Sequence, residues 1–254
     1  MRRREQDARL VEDLLRGGRY QEAVDVCSQV IAAAPDDAAL YVQRSVAWAG
    51  LGRTDDALAD LGEAVALEPD FGRAYHERGV VLSALGRHGE ALRDLDRAVR
   101  LAPTAAAYSD RASVLLQLSR EVEARRDYAA ALALDPDLAP VHVNLGVLEG
   151  RRGHFREAVP HLRRAAQLGW EQAVPLLERA RQESFVAASE DGSMEFAIEA
   201  FLDARTARDL ADALDRFPFM VLPDFLESVA WFGPPLNEEG VQDRIQVLRE
   251  LAED

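Results

Sequence analysis

The sequence predicts an all-α fold, a stack of helical hairpins followed by a smaller helical bundle. Three observations carry that expectation. Ala is the commonest of the 254 residues, with 43 copies, and Ala, Arg, Leu and Glu each lose little side-chain freedom in a helix. A unit of about 34 residues recurs five times. Gly and Pro fall at fixed offsets inside that unit, where a helix must stop and turn.

The repeat is read from its turn. Gly18-Arg19-Tyr20-Gln21-Glu22-Ala23-Val24 returns as Gly52-Arg53-Thr54-Asp55-Asp56-Ala57-Leu58, as Gly86-Arg87-His88-Gly89-Glu90-Ala91-Leu92 and as Gly153-His154-Phe155-Arg156-Glu157-Ala158-Val159. Ser119-Arg120-Glu121-Val122-Glu123-Ala124-Arg125 is a fainter copy. The column Ala23, Ala57, Ala91, Ala124, Ala158 steps by 34, 34, 33 and 34 residues, and Val11, Ser45, Gly79, Ala112, Gly146 keep the same steps. Pro35, Pro69, Pro103 and Pro136 close four units, and Trp170 takes the fifth slot. The units run at about 4–37, 38–71, 72–104, 105–138 and 139–170.

Each unit reads as two helices. In the second unit Tyr41, Arg44, Ser45, Trp48 and Leu51 mark a first helix, and Ala57, Leu58, Leu61, Ala64 and Val65 a second. The small columns let the paired helices approach closely, and a bulky residue there would overpack at roughly 1–3 kcal/mol. The pattern of small residue, aromatic or Leu, Gly, Ala and Pro resembles the tetratricopeptide repeat. That resemblance covers about residues 4–170 and implies an α-solenoid, a right-handed superhelix whose first helices line an inner groove. The fifth unit departs from the pattern, with Glu149 where Leu14, Trp48, Leu82 and Leu115 stand. A helix over 171–182 is expected to cap the stack.

Charges inside the repeat follow their own rule. Arg44, Arg78 and Arg111 sit beside the small column, and Asp60, Asp94 and Asp127 follow 16 residues later. In the end units both members vanish together, leaving Leu10 with Val26 and Leu145 with His161. Pairing each Asp with the next unit's Arg would orphan Arg44 and Asp127, so the expectation is three structural ion pairs inside repeats.

By the same resemblance the groove is lined by Val42, Val46, Ala49, Arg73, His76, Val80, Ser83, Ser109, Ser113, Leu116, Val143 and Val147. These side chains are mostly small and uncharged, which suits an amphipathic helix or an extended peptide with apolar anchors. The Lys, Arg and Asn clamp of chaperone-adaptor members is absent, because Ala8, Glu12, Gln43, Arg73 and Glu77 hold the matching places.

After Gln182 the composition turns acidic: residues 183–254 hold 17 Asp and Glu against five Arg. Residues 183–193 read as a linker around Gly192, and 194–254 as an acidic helical bundle. Its helical patterns are Met194, Ile198, Phe201, Leu202; Thr206 to Phe217; Pro223 to Ala230; and Asn237 to Leu248. This segment resembles the small helical piece that accompanies tetratricopeptide repeats in actinobacterial proteins, some with caspase-like domains. No such protease domain is present in the chain.

Several functions are excluded. A net charge of −15 opposes broad phosphate-backbone binding, so no nucleic acid is expected. No run of about 18 apolar residues crosses a membrane. Cys27 is the single cysteine and cannot form an intramolecular disulfide. The basic start Arg2-Arg3-Arg4 lacks the apolar run of a signal peptide. No phosphate loop, metal-ligand spacing or catalytic pairing emerges, so no cofactor, metal or catalytic residue is expected. The reading is a non-enzymatic, cytoplasmic bacterial scaffold that binds a protein or peptide, with a basic partner for the acidic part. The alternatives are a regulatory peptide sensor gated by the bundle and an enzyme with an unrecognised site there.

Overall fold

In a computed structural model, the described residues are 2–190, 193, 197, 200–201, 204, 207–221, 225, 243, 245–247 and 250. Among them every regular element is helical. The chain divides into two compact units, Met1–Pro136 and Asp137–Asp254.

The first unit holds four hairpins: α1 (Arg2–Arg16) with α2 (Tyr20–Ala33), α3 (Ala38–Gly50) with α4 (Thr54–Leu67), α5 (Gly72–Ala84) with α6 (His88–Leu101), and α7 (Ala105–Gln117) with α8 (Glu121–Leu134). The third hairpin closes because a small residue of its first helix meets Leu of its second. At Gly79 an added Cβ would lie 2.7 Å from Leu95 Cγ, so only glycine permits that approach. Between hairpins, Val42, Ala57, Leu61 and Ala74 share one core cluster, and Leu82, Leu95 and Val114 share another. Here neighbouring repeats build a continuous interior, as repeat stacks do.

The turn after each first helix is a Schellman arrangement. Arg53 N–H donates to Trp48 O at 2.9 Å and Gly52 N–H to Ala49 O at 3.0 Å. Gly18, Gly52 and Gly86 adopt φ near +70° in these turns, at 68°, 72° and 72°. Ser119 takes the same place at φ 59°, a conformation that costs a side-chain-bearing residue roughly 1–2 kcal/mol. The Arg that follows each of these turns closes a short ion pair three residues on: Arg19 with Glu22, Arg53 with Asp56, Arg87 with Glu90, Arg120 with Glu123. These pairs are exposed and contribute little stability individually.

The three inner arginines each grip one Asp with the Nε–Nη2 edge. Arg44 donates to Asp60 at 2.8 and 2.7 Å, Arg78 to Asp94 at 2.7 and 2.9 Å, and Arg111 to Asp127 at 2.6 and 2.7 Å. All three Asp are buried. Tyr41, Tyr75 and Tyr108, three residues before each Arg, lie under the guanidinium at 5.6, 5.5 and 5.6 Å. The preceding hairpin supplies a further acceptor to Arg44 (Ser28 Oγ, 3.0 Å) and Arg111 (Asp96 Oδ1, 3.0 Å). Gly62 holds the corresponding place before Arg78, and a Cβ there would meet nothing within 4 Å.

The second unit contains α9 (Ala139–Arg151), α10 (Phe155–Gln167), α11 (Ala173–Glu190), α12 (Ala207–Arg216) and a 3-10 turn at Pro218–Val221. Two expectations are corrected here. Residues 183–190, expected to begin a linker, continue α11, because no Gly or Pro interrupts the chain between Pro175 and Glu190. The compact units also part after Pro136 rather than near residue 182. The cause is α11 itself. Its first half packs Leu177 and Ala180 on Ala158, Val159 and Leu162 of α10. Its second half gives Phe185 and Ala188 to a cluster with Phe201, Leu210, Leu214, Phe217, Phe219, Met220 and Phe225. One helix therefore joins the fifth repeat to the C-terminal part. The aromatic rings meet edge to face, Phe201 with Phe225 at 6.1 Å and Phe219 with Phe225 at 5.7 Å. The pattern from Thr206 to Phe217 becomes α12. Most of the Met194, Pro223 and Asn237 patterns, and Gly192, lie outside the described residues.

Removing one partner of a buried pair strands the other charge, so Asp94→Ala is expected to lower unfolding free energy by about 3 kcal/mol in urea denaturation. Gly62→Asp, which supplies Arg78 with the acceptor its neighbours have, is expected to raise it by about 1 kcal/mol.

Candidate functional site

In the first unit, α3, α5 and α7 carry the columns that the resemblance assigns to a groove. Ala49, Arg73 and Val80 are exposed, and Val46, His76, Ser83, Ser109, Ser113 and Leu116 are half-buried. Val42 is the exception and a correction. It is 0% exposed and belongs to the core cluster with Ala38, Ala57, Leu61 and Ala74, because the small Ala74 of α5 lets the next hairpin close over it.

This surface is also less apolar than its sequence suggests. His76 Nε2 lies 2.7 Å from Asp110 Oδ2, joining α5 to α7. Ser113 Oγ donates to Ser109 O at 3.1 Å and shares a second 3.1 Å hydrogen bond with the Tyr128 hydroxyl. Asp110 was not singled out from sequence, although Gln43, Glu77, Asp110 and Asn144 form a polar column one residue beyond the Val42 column. The hydrogen bond to Asp110 raises the His76 pKa, against the lowering effect of burial, with smaller contributions from Glu77 (raising) and Arg73 (lowering).

In the second unit, Val143 and Val147 stand half-buried on α9. Beside Val147, a cavity of about 240 Å³ opens between α9, α10 and α11. Its walls include Val147, Phe155, Leu162 and Leu176, and Arg151 and Arg179 stand at its rim. The cavity exists because Gly150 occupies the column that holds Leu116 one repeat earlier, and a Cβ at Gly150 would meet nothing within 4 Å. At Gly146 the reverse holds, since a Cβ there would lie 2.5 Å from Leu162 Cγ. Glu149, in the column of Leu115, is buried and lies 3.1 Å from His154 Nδ1. His142 and His161 meet through Nδ1 atoms 3.2 Å apart.

Among the described residues no three His, Cys, Asp or Glu side chains gather as a metal site would require. Burial pushes the Cys27 thiol up to about 11, so it stays protonated and packs as a small apolar side chain. No helix among the described residues is long and apolar enough to cross a membrane.

The His76–Asp110 pair generates a pH dependence. A folded-state pKa raised above the unfolded value of about 6.5 stabilises fully below that value, and the contribution is lost as pH rises through the folded pKa. Proton NMR titration is expected to place His76 above the ordinary histidine range, and Asp110→Asn to bring it down. His76→Gln is expected to flatten the stability change across that pH window.

The tetratricopeptide repeat family model matches residues 9–70, 47–106 and 76–139, which together span half of the chain. No curated protein matches it. Among solved structures, the chain is similar to TTC0263, a thermophilic tetratricopeptide repeat protein of Thermus thermophilus, at 23% identity and TM-score 0.58, covering 70% of this chain and 97% of that one. It is similar to MamA from Desulfovibrio magneticus RS-1 at 23% identity and TM-score 0.56, covering 66% and 96%. The Cut9–Hcn1 hetero-tetramer of the APC/C matches at 16% identity and TM-score 0.62, over 95% of this chain and 48% of that one. These likenesses show the fold. With the matched repeats and the hairpin geometry, they establish that the chain belongs to the tetratricopeptide repeat family.

Proposed function

We propose that the protein is an interaction scaffold that takes a peptide or amphipathic helix on its first-helix surfaces, with one apolar side chain anchored beside Gly150. Proteins of this family generally mediate protein–protein interactions. The observation that carries the proposal is the cavity of about 240 Å³ walled by Val147, Phe155, Leu162 and Leu176. It lies below the roughly 300–1,000 Å³ of small-molecule sites, so a single side chain suits it better than a cofactor or metabolite. Arg151 and Arg179 at the rim favour a carboxylate next to that anchor. The partner chemistry is therefore an apolar residue flanked by Asp or Glu.

The same reading gives the acidic C-terminal third a basic partner of its own. Between a static scaffold and a gated sensor, the unbroken α11 supports the scaffold, because a rigid helix rather than a hinge joins the fifth repeat to the aromatic cluster.

A panel of amphipathic peptides with Leu anchors flanked by Glu or by Lys tests the proposal by fluorescence anisotropy. The Glu-flanked set is expected to bind more tightly, and Gly150→Trp, which fills the cavity, to weaken that binding at least tenfold without lowering the unfolding midpoint. Binding unchanged by Gly150→Trp would overturn the assignment.

A further inference from the structure

Five buried side-chain nitrogen or oxygen atoms among the described residues have no hydrogen-bond partner, and four of them belong to Arg163, Arg181 and Ser184. They are Arg163 Nε, Arg181 Nε and Nη2, and Ser184 Oγ. Three are guanidinium nitrogens, which can only donate, and the Ser184 hydroxyl can donate as well, so the place is short of acceptors. Arg163 follows Leu162 on α10, and Arg181 follows Ala180 on α11; Leu162 and Ala180 belong to the same packed cluster. Ser184 lies one turn further along α11. Arg181 is 6% exposed and Ser184 0%.

The guanidinium geometry is the informative part. In Arg44, Arg78 and Arg111 the Nε–Nη2 edge holds a carboxylate with two parallel hydrogen bonds. In Arg181 that same edge is buried and grips nothing. The partners these two arginines do have sit on their other nitrogens and face solvent. Arg181 Nη1 donates to Glu178 at 3.0 Å, and Arg163 Nη1 donates to Asp215 at 3.2 Å. Glu178 and Asp215 are 56% and 75% exposed, so they mark the solvent side and leave the inner donors unserved.

A buried guanidinium with an unfilled fork is costly, and native proteins fill such places with an ion, a water or a charged group. Water brings no charge to offset two neighbouring arginines. A carboxylate holds its acceptor sites in one plane and brings a single charge to two arginines. A tetrahedral oxyanion answers the shortage better, since it offers two oxygens to an Arg fork, further oxygens out of that plane for Arg163 and Ser184, and up to two negative charges. We propose that Arg181, Arg163 and Ser184 form an oxyanion site of the phosphate class in the second unit. It is distinct from the cavity beside Gly150 and independent of the scaffold reading. Burial lowers the proton affinity of Arg181, and the Arg163 charge lowers it further while Glu178 opposes both. A bound dianion would relieve that cost.

The test uses the full chain and inorganic phosphate, with sulfate, acetate and chloride as comparison anions at equal ionic strength. Phosphate and sulfate are expected to raise the unfolding midpoint in a saturable way, and titration calorimetry with phosphate to show one site. Arg181→Met is expected to abolish the response while keeping or raising the midpoint in chloride, since it removes a buried charge whose carboxylate partner Glu178 is exposed. Ser184→Ala, the gentler change, is expected to weaken phosphate binding about tenfold and leave the fold intact. A response of equal size with acetate would assign a carboxylate site and overturn the phosphate class. Identical midpoints in phosphate and chloride, or a phosphate response that survives both substitutions, would overturn the site itself.

Discussion

Two helices can share an interior only as closely as their bulkiest facing residues permit, and here a column of small residues sets that distance, at its closest where glycine faces leucine. Gly79 against Leu95 and Gly146 against Leu162 leave no room for even a methyl group. The alanines of the second helices, fully buried at Ala57, Ala91, Ala124 and Ala158, serve the same end. Once each hairpin closes this tightly, its leucines reach into the next hairpin, and the first helices are left with a face that the second helices do not cover. The groove columns and the cavity beside Gly150 both follow from that constraint.

The close approach also decides where charge is tolerated. An arginine beside the small column survives because an Asp 16 residues later, on the facing helix, meets its fork and a Tyr one turn earlier meets its flat side. The repeat thus uses one device three times and omits it where either member is missing. This was legible in the sequence, since both members disappear together in the end units. The hairpins were legible for the same reason. A fixed period with Gly and Pro at fixed offsets leaves little freedom for another fold.

What escaped sequence reasoning was contact between repeats. The His76–Asp110 pair depends on how far one hairpin is rotated relative to the next, which spacing inside a unit does not specify. Val42 was assigned to the groove by its column, yet it is buried because Ala74 on the neighbouring helix is small. The length of α11 carried a signal that composition obscured. The rise in acidic residues after Gln182 suggested a boundary, while the lack of Gly or Pro before Gly192 argued for a continuous helix. Arg163, Arg181 and Ser184 gave no sequence signal, because ordinary surface-type residues become significant only when both their helices are packed.

The central claim, that the small column of the first helices sets how closely each hairpin closes, is tested most directly where glycine faces leucine, by calorimetric unfolding of Gly79→Val beside Gly62→Ala. Both substitutions add side chain to a helical glycine in the first unit, but a Cβ meets Leu95 at 2.7 Å in one and open space in the other. Gly79→Val is expected to lose roughly 1–3 kcal/mol through overpacking. Gly62→Ala is expected to gain up to about 1 kcal/mol from helix propensity. Equal effects of the two, or a Gly79→Val protein as stable as the parent, would contradict it.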